Sequence, residues 1–197
     1  MANVSDVKSK FFEPDGVDAD QVSASGSATT LVIADGGPYG NLTETITLTS
    51  SADNSGNTFT ITGTDGNGDA QTEDLTGPNA GAVSSANKYL TVTSIVSDGA
   101  IATDIQAGIL GTGALTGTVF AGRTRIRGIT GTSKASAGNI VFKNTSITGT
   151  TLLTIPLTGA VSSIDPYIPD NGVLFNAGAY VNLTAADITG VTVYYDG

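Results

Sequence analysis

The chain contains no cysteine and no histidine. Disulfide frameworks, thiolate zinc sites and serine–histidine or cysteine–histidine nucleophile pairs are therefore excluded. Tryptophan is missing too, and six Tyr and six Phe are a thin supply for a sugar-stacking platform. Charge is scarce: 13% of the 197 residues are Asp, Glu, Lys or Arg, against roughly 25% in ordinary globular domains, and Gly, Thr, Ser and Ala take their place. Bases are the rarest, eight Lys and Arg against 18 Asp and Glu, and a net charge of −10 argues against nucleic acid as a partner. No run of about 18 apolar residues occurs, so no membrane span is expected. The opening residues Met1 to Asp6 lack a basic segment followed by an apolar run, so no secretory signal is expected either. Carboxylate pairs are the only catalytic option left. Glu73 and Asp74 are adjacent and point to opposite faces of a strand, and the other acids fall in turns among Gly and Ser. Neither an enzyme nor a cofactor is expected.

What is present is β grammar. In Leu42 to Leu48 Thr alternates with Leu42, Glu44, Ile46 and Leu48, which puts the apolar Leu42, Ile46 and Leu48 on one side. Thr58 to Thr62 repeats the device with Phe59 and Ile61 inward, and the Ser, Asn, Asp and Gly of 50–57 make the connecting loop. A strand is expected over Tyr89 to Val96, with Ser84 to Lys88 a helical turn at most. Beyond the small-residue run of 106–122 come short strands at Arg123 to Ile129, Gly138 to Lys143, Thr151 to Leu157, Val173 to Asn176, Ala179 to Leu183 and Val191 to Tyr195. A turn roughly every ten residues, the Asp170-Asn171-Gly172 turn among them, suggests a sandwich or barrel. The expected fold is all-β: two small antiparallel sandwich or barrel-like modules over 25–110 and 111–197, preceded by an extended N-terminal arm over 1–24. Charge divides the same way, three bases against fourteen acids up to residue 110 and five against four beyond it. That asymmetry gives neighbouring copies a reason to attract, and a homo-oligomer is expected.

Three constellations are candidate sites. Asp65, Asn67, Asp69 and Glu73 superficially resemble the start of a calcium loop, but Ala70 and Thr76 stand where an EF-hand needs Gly and Glu; a hairpin turn is the plainer reading. Arg123, Arg125 and Arg127 alternate, so on a strand they form a basic stripe backed by Thr124 and Ile126, able to grip an acidic surface. Phe11 and Phe12 on the arm are an odd pair to leave in water and suit docking onto a neighbour. Asn-x-Ser/Thr triplets begin at Asn3, Asn41, Asn144 and Asn182, which in so Thr-rich a chain is chance.

The stretch Thr58 to Gly81, continuing through Tyr89 to Ile95, resembles a module common among structural proteins of tailed bacteriophages. Ile168 to Phe175, Gly178 to Leu183 and Val191 to Tyr195 resemble the closing β-module of small phage virion proteins. The resemblance implies a chain made in the host cytoplasm and assembled onto a virion, with capsid-shell or tail proteins as partners and no catalytic residues. A capsid decoration or cement subunit is the leading expectation. A tail or neck accessory or fibre protein for host attachment, and a bacterial surface or adhesin module, are the alternatives.

Overall fold

The computed structural model describes residues 6–169 and 171–197, so Asn3 and Asp170 lie outside the described residues. The fold is all-β, and no helix occurs among the described residues. The strands in chain order are β1 (Val7–Phe12), β2 (Asp18–Gly26), β3 (Glu44–Asp53), β4 (Thr58–Thr64), β5 (Ala70–Thr76), β6 (Asn79–Tyr89), β7 (Thr91–Ser97) and β8 (Ile105–Ile109). There follow β9 (Ala114–Phe120), β10 (Thr124–Ser133), β11 (Ala137–Asn144), β12 (Thr150–Thr158), β13 (Ser163–Ile164), β14 (Val173–Phe175), β15 (Ala179–Thr184) and β16 (Ile188–Asp196). Ser84 to Lys88, expected as a helical turn at most, is strand within β6.

The chain divides into two compact units: unit 1 is Met1–Pro14, Gly40–Leu42 and Thr112–Gly197, and unit 2 is Asp15–Tyr39 and Thr43–Gly111. In unit 1 one antiparallel sheet runs β1-β16-β10, with β13 and β14 both pairing β10, and a second runs β12-β11-β15-β9. The core takes the inward residues of both: Phe12, Ile126, Ile129, Val191 and Val193 from the first, Leu115, Ile140, Phe142, Val181 and Leu183 from the second. In unit 2 a sheet ordered β2-β8-β3-β6 and a three-stranded sheet β5-β4-β7 enclose Ile46, Leu48, Phe59, Ile61, Ile95, Ile105 and Ile109. Each unit is a sandwich-like module, two sheets burying one face each.

The described part of the expected arm is not an arm. Val7–Phe12 is β1, hydrogen-bonded along β16 from Val7 opposite Asp196 to Phe12 opposite Val191, and Asp18–Gly26 is a strand of unit 2. An edge of β16 was waiting for a partner, and pairing there satisfies backbone groups that an arm would leave to water. Two consecutive modules are therefore not what the chain builds: it starts in unit 1, crosses to unit 2 and returns for good at Thr112. Leu42 follows the same logic. It packs in the core of unit 1, while Ile46 and Leu48, two and three turns of the pleat onward, pack in unit 2.

The small-residue run of 106–122 does carry a boundary between the units, unit 2 ending at Gly111 and unit 1 resuming at Thr112, but most of the run is strand. It holds most of β8 and all of β9, and its glycines are places of close approach: a Cβ on Gly108 would lie 1.9 Å from the carbonyl oxygen of Asp18, and one on Gly117 would lie 2.8 Å from the Phe12 ring. Phe12 thus packs against bare backbone and is wholly buried, whereas Phe11, one residue earlier, is 48% exposed. Phe12→Ala is expected to cost about 3–5 kcal/mol and Phe11→Ala about 1 kcal/mol, measured by urea unfolding; equal losses would contradict this register.

Candidate interaction surface

Antiparallel pairing places directly opposite residues on one face. The outward face of the first sheet of unit 1 is fixed by three rows: Val7, Asp196 and Arg125; Ser9, Tyr194 and Gly128; Phe11, Thr192 and Thr130. The register between β10 and β16 slips by one residue between Ile126 and Gly128. Arg127 faces outward by simple alternation with Ile126, and the bulge then turns Gly128 outward as well, so that Ile126 and Ile129 are both buried although three positions apart. The result is a face with apolar groups, Val7 56%, Phe11 48% and Tyr194 37% exposed, set beside two guanidinium groups.

Two glycines shape it. A Cβ on Gly190 would lie 2.6 Å from Phe11 Cζ, so the Phe11 ring lies across the bare backbone of β16. Tyr194 covers Gly128 in the same way, Cδ2 lying 3.4 Å from where a Cβ would be. Ring over glycine buries backbone that would otherwise meet water and holds the rings flat on the sheet. Arg127 Nη1 lies 3.6 Å from Asp196 Oδ2, and Arg125 Nη1 donates to the Asn171 carbonyl at 3.0 Å. A half-buried pair of that length, at the long end of ion-pair distance, adds little stability but fixes where the charge sits. Arg123, just before β10, joins Arg125, Leu174, Asp196 and Gly197 around a hollow of about 200 Å³.

The structure thus brings together residues that the sequence presented as two separate features. Phe11 shares its face with Arg125 and Arg127, and Thr124 and Ile126 do lie buried behind them. Phe12 leaves the candidate list, because adjacent residues of a strand point to opposite sides and its ring faces the core. Val7 and Tyr194 were overlooked; the alternation Val191, Val193, Tyr195 would have marked Tyr194 as the outward member of its run.

Three of the sheet edges are poor sites for added strands. Edge strand β12 contains Pro156, which has no N–H to offer, and edge strand β5 contains Glu73 and Asp74. On edge strand β1, Lys10 points inward, Nζ donating to the Thr118 carbonyl at 2.8 Å, 5.7 Å above the Phe12 ring. Burial lowers the Lys10 pKa. Inward charge, proline and acidic side chains are the usual guards of sheet edges, and these three edges carry them, whereas edge strand β9 has neither charge nor proline.

The calcium candidates form a hairpin instead. Asp65 Oδ1 accepts from the N–H groups of Asn67 at 2.8 Å and Asp69 at 3.0 Å, Asp65 Oδ2 accepts from Asn67 Nδ2, and Gly68 takes the φ of +90° that the turn requires. Glu73 is drawn off to β6, where its two oxygens accept from the N–H groups of Ala86 and Asn87. Among the described residues no group of three or more acids is arranged to hold a metal ion. Asp65→Ala is expected to cost about 1 kcal/mol through the lost turn bonds, while calcium or a chelator leaves the melting temperature in place. A calcium-dependent rise in melting would restore the metal reading. Three of the Asn-x-Ser/Thr side chains are also spoken for: Asn41 Nδ2 donates to the Phe11 carbonyl, Asn144 Oδ1 accepts from Ala177 N–H, and Asn182 Nδ2 donates to the Ile147 carbonyl.

One buried carboxylate stands out in unit 2. Glu44, at the head of β3, is fully buried, and neither of its oxygens makes a well-formed hydrogen bond. Burial pushes its pKa up to about 7, with the Asp15 charge adding to the rise; the nearby N–H groups of Gly111 and Thr45 and the charge of Lys88 pull it down only in part. Its position was legible, since Glu44 has the parity of Leu42, Ile46 and Leu48 and therefore had to face inward. Tyr39 is held protonated well above its ordinary range by burial, then by the charges of Asp35 and Glu44. Because the folded pKa of Glu44 lies above its ordinary 4.5, its contribution is full below that value and is lost as pH rises through about 7. Urea unfolding from pH 5 to 8 is expected to show stability falling by as much as about 3 kcal/mol. Glu44→Gln should flatten that slope and be the more stable form at pH 8; an unchanged slope would remove Glu44 as its source.

Compared with known proteins, the chain matches no protein-family model and no curated protein.

Proposed function

We propose that this chain is a non-enzymatic structural subunit of a tailed-phage particle, a capsid decoration or cement protein that works by burying surface against other virion proteins. One observation carries the assembly part of the reading: the outward face of the first sheet of unit 1, where Val7, Phe11 and Tyr194 stand exposed beside Arg125 and Arg127. Aromatic residues and arginine are the types enriched where proteins meet, and edge strand β1 beside this face is guarded by the inward Lys10, which favours contact through the face there. The particle is supplied by the resemblance of the Thr58 to Gly81 and Ile168 to Tyr195 stretches to phage structural modules.

The mechanism is passive. A subunit that binds only the assembled shell stabilises it by mass action, with no step of bond chemistry. Cryo-electron microscopy of particles purified from the phage that encodes the chain is expected to show copies over the whole head. Copies confined to neck or tail would replace the cement role with that of a tail accessory, and a particle lacking the chain would overturn the virion reading.

A further inference from the structure

We propose that the aromatic and arginine face of unit 1 docks onto the acidic unit 2 of a second copy of this chain, so that copies associate head to tail. The net charges of the two units are the same as those of the two halves of the sequence, but the bases sort more cleanly, Lys88 alone remaining in unit 2. Unit 2 holds twelve acids and a single base, Lys88, for a net −11, while unit 1 holds seven bases and six acids, a net +1. A surface so one-sided attracts a cationic partner, and the chain carries that partner at equal copy number.

Unit 2 also offers apolar surface within its acidic ground. Gln21 Nε2 donates to both Asp15 Oδ2 at 2.9 Å and Asp35 Oδ2 at 3.1 Å, holding two carboxylates side by side. Asp18 and Asp20 follow on β2, exposed, and Val17 beside them is 69% exposed. An apolar group ringed by carboxylates is the counterpart of rings flanked by guanidinium groups. The complementarity gives both attraction and register, since like-charged faces of two copies repel.

The face is small. Three strands about six residues long cover roughly 300 Å², well under the ~800 Å² per partner of a stable complex. Association of free chains is therefore weak, salt-sensitive and multiplied where many copies are arrayed together. A head-to-tail contact uses two different surfaces, so it builds rings or open chains rather than stopping at a closed twofold dimer. The inference rests on the assembly-subunit reading for its relevance, but it is tested on the purified chain, whereas the particle role is tested on virions, so either can fail alone.

The test is sedimentation velocity with light scattering over a concentration series, at low salt and at ~0.5 M salt, with circular dichroism to check each fold. The wild-type mass is expected to grow with concentration at low salt and to fall back at high salt. The double variants R125E/R127E and D18K/D20K should each stay monomeric alone. Mixed one to one they should associate again, because each then meets the opposite charge on the other. A wild-type monomer throughout the low-salt series, or folded variants that fail to associate when mixed, would overturn the proposal. If reversal at Arg127 prevents folding, the neutral pair R125Q/R127Q carries the same comparison, with association expected to weaken about tenfold. An undiminished association in that pair would also overturn the proposal.

Discussion

The pairing of β1 with β16 is the constraint on which unit 1 depends. It brings Phe12 into the core against Gly117, closes the edge of β16 and presents Val7 and Phe11 outward. All three follow from the strict period of two: once Phe12 is fixed inward by its burial, Phe11 has no choice but to face away. The outward character of the face is thus a by-product of core packing. Its aromatic groups keep their places because glycines at 128 and 190 give the rings room to lie on the backbone.

Much of the fold could be read from alternation alone. Thr-rich runs such as Thr58 to Thr62 have one polar and one apolar side, and the structure buries Phe59 and Ile61 as that pattern requires. The hairpin at Asp65 to Asp69 was equally legible, because Asp and Gly at those spacings supply both the acceptor and the positive φ. Harder to read was everything decided by non-local pairing. Nothing within Val7 to Phe12 states that a strand near residue 190 will take it up, and a short charged segment without a neighbour reads as an arm. Small residues were legible in part: the units do divide within 106–122, at Gly111 and Thr112, but the flanking residues are strand. In 106–122 they mark where another backbone passes within contact distance, as Asp18 does at Gly108, whereas by composition alone they look like a flexible joint.

The candidate surface was visible in fragments. Arg125 and Phe11 stood out for their chemistry, but their union on one sheet comes from pairing across nearly the whole chain, and the bulge that turns Gly128 outward under Tyr194 has no signature in sequence beyond the glycine itself. Glu44 is the opposite case, a residue whose burial was written in its parity and masked by its charge. Its carboxyl group is kept inside the sheet in the neutral form, which ties unit 2 to mildly acidic conditions.

Because β1 and β16 lie about 180 residues apart in sequence, the contact that completes unit 1 cannot form until the last strand of the chain has been made. During synthesis unit 2 has all its strands available while β1 still lacks its partner, so the ribosome-bound chain carries one finished sandwich and one open sheet. The inward Lys10 and the flanking Lys8 then serve a purpose that the mature protein hides: they keep a waiting hydrophobic strand soluble until its mate arrives.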